Sequence, residues 1–400
     1  MLGDYIIEKM IGTGAYSQIF RARHSKTQAK VAIKIITKDD YHQNQNIRDH
    51  FDAEAAILTR IKHPYIIEVF EVVENNKCMG LVMEFLEKGD LLDLVNGKSK
   101  ITENDAQRIY AQIISILTYL HDELKMVHCD IKLDNILLDR NNNIRLIDFG
   151  FTAEVKNSAP QLEGLRGSPA YVAPEIVKKR KYNSAVDIWS SGVTLYGLIT
   201  ETLPFVGNTI SEQLKQIVDN DPTYPSNLSP VLIDLFTLLL KKDPMERISL
   251  TDLRKHPWVA KAYQNLKPTI ANFYKYMSRP DKEIFAIMQE CKISTSGLLS
   301  SVMNGSETPT MNVYKILRRA KALDLIAGKE IHIAFNDTSQ IVNNIMMKEQ
   351  RKGKSRLSSN RENSSEASNL QSNNLLKHGK VGTQLNLGFK PNVLKKKNNS

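Results

Sequence analysis

The chain has 400 residues, 42% of them hydrophobic and 24% charged, with a formal net charge of +10. That length suits two domains and a tail, and the apolar fraction is ordinary for a globular chain. No apolar run approaches the ~20 residues needed to span a bilayer, and Met1-Leu2-Gly3-Asp4 carries neither a basic-then-apolar leader nor a glycine at position two. Cys78, Cys129 and Cys291 are too scattered for a disulfide framework or a zinc site. The expected compartment is therefore reducing and intracellular: the cytoplasm, with the nucleus also open. The basic surplus is local. From Lys348 onward there are twelve Lys/Arg against three Asp/Glu, the pattern of a solvated tail, and no specific nucleic-acid partner is expected.

Residues 5–37 read as three strands. Ile6, Ile7 and Ile11 lead into Gly12-Thr13-Gly14-Ala15-Tyr16-Ser17-Gln18-Ile19, where Gly12 and Gly14 allow close approach of backbone to phosphate. An ordinary hairpin would look the same. Val31-Ala32-Ile33-Lys34 is a β-rich run that ends in a charge. Glu54 lies nine residues before His63-Pro64, and Leu58 shares its helix face one turn on. Leu81-Val82-Met83-Glu84-Phe85-Leu86 reads as a buried strand, followed by Gly89-Asp90. Thr102-Glu103-Asn104-Asp105 starts a helix as a capping box, and Ile109, Ile113, Ile116 and Leu120 recur at helical spacing. Next come His128-Cys129-Asp130-Ile131-Lys132-Leu133-Asp134-Asn135 and Asp148-Phe149-Gly150. One Asp can orient a hydroxyl, a Lys two positions on can neutralise phosphate, an Asn can bind metal, and a second Asp precedes a glycine. This is the order of a phosphoryl-transfer centre.

From Tyr5 to Trp258 these motifs resemble the eukaryotic protein kinase family. Gly167-Ser168-Pro169-Ala170-Tyr171, Ala173-Pro174-Glu175, Asp187-Ile188-Trp189-Ser190-Ser191-Gly192, Leu203-Pro204-Phe205 and His256-Pro257-Trp258 extend the likeness. In wording they look like the calmodulin-dependent kinase group, AMP-activated kinase-related branch. The resemblance implies an α+β, two-lobed fold, with a small β-rich lobe and a helical lobe, over residues 5–258. It implies transfer of the ATP γ-phosphate to protein Ser/Thr hydroxyls with Mg2+. Asp130 would take or orient the hydroxyl proton, and Lys132 would stabilise the transferred phosphoryl. Asn135 and Asp148 would hold the metal. Lys34 would contact phosphates and pair with Glu54. Ile11, Gly12, Gly14, Ile19, Ala32 and Leu137 would enclose the nucleotide, the backbone of Glu84 and Leu86 would bond adenine, and Asp90 would sit near the ribose. Ser168 would contact Asp130 and Lys132, and Glu175 would pair with Arg247. Asp90 and Asp134 would favour a basic residue upstream of the acceptor. A pseudokinase scaffold and a ubiquitin-binding adaptor are the rival readings, and retention of the six polar residues from Lys34 to Asp148 argues against the first.

Three positions depart from the family. Ser17 replaces the third glycine. Cys129 replaces the Arg that receives an activation-loop phosphate in relatives. Gly164 stands where relatives place the activating Thr. Phosphate orders such loops through Arg pairing, so activity without activation-loop phosphorylation is expected, with Thr152 and Ser158 available but off position. Cys129 is either a small filler or a redox sensor, and a sensor needs a local positive field.

After Trp258, residues 259–280 read as a linker broken by Pro268 and Pro280. Residues 281–320 carry three apolar faces: Ile284, Phe285, Ile287 and Met288; Leu298, Leu299 and Val302; Val313, Tyr314, Ile316 and Leu317. Asn304-Gly305 forms a turn between the last two. They resemble the ubiquitin-associated-like module of AMP-activated kinase relatives, which docks on the catalytic domain. A generic helical extension would show the same faces. From 351 to 400 the composition is that of a disordered basic tail. The 341–357 stretch, apolar then basic, could take calmodulin or an acidic membrane, and Ser355, Ser358 and Ser359 could take phosphate.

Overall fold

The computed structural model describes residues 1–14, 16–97, 101–155 and 159–328. Ala15, Ser158, the 341–357 stretch and the 351–400 tail lie outside the described residues.

The first five strands are β1 (Tyr5–Thr13), β2 (Gln18–His24), β3 (Lys30–Thr37), β4 (Val69–Glu74) and β5 (Cys78–Glu84). They form one antiparallel sheet in the order β1-β2-β3-β5-β4. The central strands are covered on both faces. In β3, Val31, Ala32 and Ile33 are buried while Lys30 and Thr37 at its ends are exposed. The α1 helix (Lys38–Gln43) and α2 (Gln45–Arg60) follow β3. Thr37 caps α1, and Asn44 caps α2 through the Asn46 and Ile47 N–H groups. The apolar stripe of α2 (Ile47, Phe51, Ala55, Leu58) faces the interior and carries Glu54 inward with it.

The second lobe is helical. It contains α3 (Leu91–Asn96), α4 (Glu103–Thr118), α5 (Pro174–Val177), α6 (Ala185–Thr200), α7 (Ile210–Asp219), α8 (Pro230–Leu239) and α9 (Leu250–Leu253). Thr102 caps α4 as predicted, its Oγ accepting the Asp105 N–H at 3.1 Å, while Asp105 Oδ2 accepts the Thr102 hydroxyl at 2.6 Å rather than the Thr102 backbone N–H of a full capping box. Ile109, Ile113, Ile116 and Leu120 are all buried. Four short strands, β6 (Met126–Val127), β7 (Ile136–Leu138), β8 (Ile144–Leu146) and β9 (Ala153–Glu154), pair as β6-β9 and β7-β8 and hold the loops between them.

The stretch read as a linker differs. Residues 260–277 form one helix, α10 (Ala260–Met277), with Pro268 inside it. An interior proline costs about 3 kcal/mol in an unsupported helix. Here Tyr263 and Phe273 are buried and α10 packs on α4, and that burial offsets the lost hydrogen bond. Pro280 does separate α10 from α11 (Lys282–Glu290). Next are α12 (Leu298–Asn304) and α13 (Pro309–Ile326), six residues longer than the apolar pattern foretold. Gly305 closes α12 in the left-handed region at φ 73°. Ile284, Ile287, Met288, Leu298, Val313, Tyr314 and Leu317 form one core cluster. Leu299, expected in it, is 54% exposed. Ile316 instead joins the sheet cluster with Leu2, Tyr5 and Phe70, so α13 lies directly against the first lobe.

Candidate active site

The catalytic-loop side chains converge through backbone anchors. Asp187, fully buried in the first turn of α6, accepts the backbone N–H of His128 and of Cys129, each at 2.8 Å, and His121 Nε2 at 2.8 Å. These bonds hold Cys129 in the left-handed region at φ 68°. The loop then turns so that Asp130 faces three partners. Its Oδ1 accepts the Ser168 N–H at 2.8 Å. Its Oδ2 accepts from Asn135 Nδ2 at 2.9 Å and lies 3.0 Å from Lys132 Nζ. Lys132 also donates to Ser168 Oγ at 2.8 Å. Burial opposes the Lys132 cation, but Asp130 and Asp134 outweigh it and its pKa lies above the ordinary lysine range. Gly167, at φ 90°, is required beside them, because a Cβ there would meet the Cys129 carbonyl oxygen at 2.3 Å.

Lys34 and Glu54 meet across the sheet–helix interface, Nζ to Oε2 at 2.5 Å. Burial opposes the Lys34 charge, and the carboxylates of Glu54 and Asp148 together raise its pKa. Asp148 is thus the second anion facing Lys34. It sits at φ 62° with the Gly150 N–H on its Oδ1 at 3.2 Å. Phe149 is fully buried in the cluster that also holds Leu58, edge-on to His128 with ring centroids 4.7 Å apart. Asn135 and Asp148 offer one amide oxygen and one carboxylate. That hard, sparse donor set suits Mg2+, which keeps several waters and takes its remaining ligands from phosphate.

Around this centre Ala32 is buried, Ile19, Leu86 and Leu137 are partly buried, and Ile11 is 43% exposed. Gly12 pairs with Ile19 across β1 and β2. The Gly14 N–H donates to the Ser17 carbonyl at 2.7 Å, and a Cβ on Gly14 would come within 2.6 Å of Ser17 Oγ. Asp90 also has a local role. Its carboxylate caps α3, accepting the Asp93 N–H at 2.7 Å. Burial raises the pKa of both Asp90 and Asp134, and each feels the other acids nearby. Glu175 and Arg247 form the expected pair, bidentate at 2.8 and 2.9 Å.

Cys129 is 5% exposed, and burial followed by the Asp187 charge pushes its thiol well above the ordinary range. A resting thiolate is disfavoured there, which weighs against the sensor and for the filler. Arg166 of the activation segment approaches from the other side, its guanidinium donating to the Phe151 carbonyl at 3.3 Å. Its charge is also felt at Cys129 and Tyr182.

The description of the protein kinase domain matches residues 5–259. The chain belongs to the protein kinase family. It is 38% identical over 258 residues to an Arabidopsis thaliana SNF1-related protein kinase catalytic subunit, covering 64% of this chain and 52% of that protein. It is 34% identical over 306 residues to a Secale cereale carbon catabolite-derepressing protein kinase, covering 76% and 58%. With the Gallus gallus serine/threonine-protein kinase SIK2 it shares 31% over 322 residues, covering 79% and 40%. The chain thus spans about half the length of the curated relatives it matches.

Sequence reasoning missed one cluster behind β5. The Glu84 side chain points away from the cleft into a buried set with Arg145 and Arg319. In sequence both arginines look like solvated surface charge. For Arg145 the only signal was its place between Ile144 and Leu146 in a short apolar run.

Proposed function

We propose that this chain is a serine/threonine protein kinase of the AMP-activated kinase-related branch, using ATP and Mg2+. The observation that carries the reading is the assembly of Lys34–Glu54, Asp130–Lys132–Ser168 and Asn135 around a single cleft. In the reaction the acceptor hydroxyl gives its proton to Asp130 as its oxygen bonds to the γ-phosphorus. The bond to the β-phosphate oxygen breaks and ADP leaves. Lys132 Nζ, the Asn135 amide and the Ser168 N–H hold the Asp130 carboxylate in place for that proton. Lys132 sits where negative charge develops on the transferred phosphoryl, and Lys34 meets the phosphates above. Bound Mg2+, held by Asn135 and Asp148, would offset phosphate charge. Such catalysis rests on positioning and electrostatics.

The finer readings belong to the same proposal. Asp90 and Asp134 select a basic residue upstream of the acceptor. Gly164 offers no hydroxyl and Cys129 no cation, while Arg166 ties the segment to the Phe151 carbonyl, so the loop is set without phosphate. Residues 281–326 are a ubiquitin-associated-like module docked on the kinase domain, residues 351–400 are a disordered tail, and the protein works in the cytoplasm.

The test is transfer from radiolabelled ATP to paired peptides, one with an arginine three residues before the serine and one with alanine there. Transfer to the arginine peptide is expected at a KM about tenfold lower, the size of a charge-assisted pairing. Acid protonates Asp90 and Asp134, and their raised pKa values start that loss at higher pH than for ordinary carboxylates. The arginine preference therefore fades as pH falls. Nucleotide binding with no transfer to any peptide would favour the pseudokinase, and equal KM values would remove the role of the two acids.

A further inference from the structure

We propose that Arg319 is a positioning residue for the nucleotide site, through which the C-terminal helices hold the active arrangement rather than block it. The proposal rests on the kinase reading above. Arg319 leaves α13 and enters the back of the adenine-binding strand, where it is 1% exposed. Its Nε donates to Glu84 Oε2 at 3.1 Å. Its Nη1 donates to the His63 carbonyl at 3.1 Å, and Nη2 to those of Pro64 and Ile66 at 3.3 and 2.8 Å. Glu68 Oε2 lies 3.5 Å away and has no hydrogen-bond partner of its own. The guanidinium also lies 5.3 Å from the centre of the Phe273 ring on α10.

These acceptors belong to two parts of a nucleotide cleft. Glu84 ends β5, and its backbone with that of Leu86 would bond adenine. His63 to Ile66 follow the C-terminal end of α2, the helix that brings Glu54 to Lys34. One planar cation therefore ties the adenine strand to the helix of the ion pair, and it does so while that pair is closed at 2.5 Å. Arg145 completes the arrangement from the second lobe, with Nε on Glu84 Oε1 at 2.9 Å and Nη2 on Asp139 at 3.1 Å. Removing Arg319 strips a dry site of a cation that faces two carboxylates and three carbonyls. Of those two carboxylates Arg145 reaches only Glu84, at 2.9 Å, and Lys62 only Glu68, at 2.8 Å, and neither donates to those carbonyls. Buried polar groups left in that state are costly, and the strand and helix end shift to reach water. The contact thus favours nucleotide-competent geometry, which gives the C-terminal helices an activating sign.

The experiment uses the full chain and measures Mg·ADP affinity by calorimetry, with KM for ATP, KM for peptide and kcat alongside. Arg319→Met is expected to raise the ADP dissociation constant and the ATP KM by roughly tenfold, a typical coupling between sites, with the peptide KM nearly unchanged. Arg319→Lys, which keeps the charge but reaches fewer acceptors, should fall between. Arg318→Met is the control, since Arg318 donates to the Tyr276, Met277 and Arg279 carbonyls of the same region and leaves Glu84 alone. It should lower the melting temperature without moving nucleotide affinity. In a Glu84→Gln background Arg319→Met should cost less than in wild type. Unchanged or tighter ADP binding by folded Arg319→Met overturns the inference, as does a loss equal to that of Arg318→Met. If Arg319→Met does not fold, Arg319→Lys is judged by the same criterion. A wild-type chain that binds ADP but transfers no phosphate would sink the kinase reading and leave the affinity comparison intact.

Discussion

Replacing Asp148 with Asn lowers phosphoryl transfer by on the order of a thousandfold, while ADP still binds in the absence of metal. The substitution keeps size and hydrogen-bonding capacity and removes one negative charge. Two things follow from that charge. It supplies the anionic oxygen expected to hold Mg2+ beside the neutral oxygen of Asn135. It also faces Lys34, whose raised pKa is due in part to it. Without it Lys34 leans wholly on Glu54, and the phosphates lose both their metal and a well-placed cation. Backbone anchoring by Asp187 is untouched, so the fold persists and the thermal midpoint changes little. The measurement is kcat with saturating ATP and Mg2+, beside circular dichroism of the same samples. A variant retaining more than a tenth of wild-type turnover would place the metal elsewhere.

The second large effect is on stability. Arg247 is 5% exposed, bidentate to Glu175, and donates further to the carbonyls of Ala185 and Lys241 at 2.8 and 3.1 Å. Its guanidinium lies 5.2 Å from the centre of the Trp189 ring. Arg247→Met leaves the Glu175 carboxylate, itself 4% exposed, without its counter-charge. Breaking such a pair costs about 3–5 kcal/mol, a large share of the total stability of a domain. The melting temperature should fall by roughly 10 °C. The double variant Glu175→Gln/Arg247→Met should recover part of that, because the stranded charge is gone. A single variant that melts within a degree or two of wild type would show that the pair is hydrated in solution.

Much of this fold was legible because the telling residues sit close together in the chain. His128 to Asn135 and Asp148 to Gly150 fix their chemistry by order and spacing, and Glu54 followed from its distance to His63-Pro64. Thr102 announced its helix through capping. The largest unreadable parts depend on partners far away in sequence. Arg319 is separated from Glu84 by 235 positions, and nothing near it distinguishes a buried arginine from a solvated one. Pro268 reads as a breaker until the packing of α10 on α4 is known. Leu299 was grouped with Leu298 and Val302, but adjacent helical positions point about 100° apart, so it faces outward while those two pack inward.

The central claim is an active kinase whose activation segment is set without phosphate. The direct test is the specific activity of bacterially made chain after exhaustive phosphatase treatment, with mass spectrometry showing residues 148–175 unmodified. The account predicts full turnover of a basic peptide in that state, and no rise after incubation with an upstream activating kinase. A silent unmodified chain that becomes active only when a residue of that segment gains phosphate would contradict it.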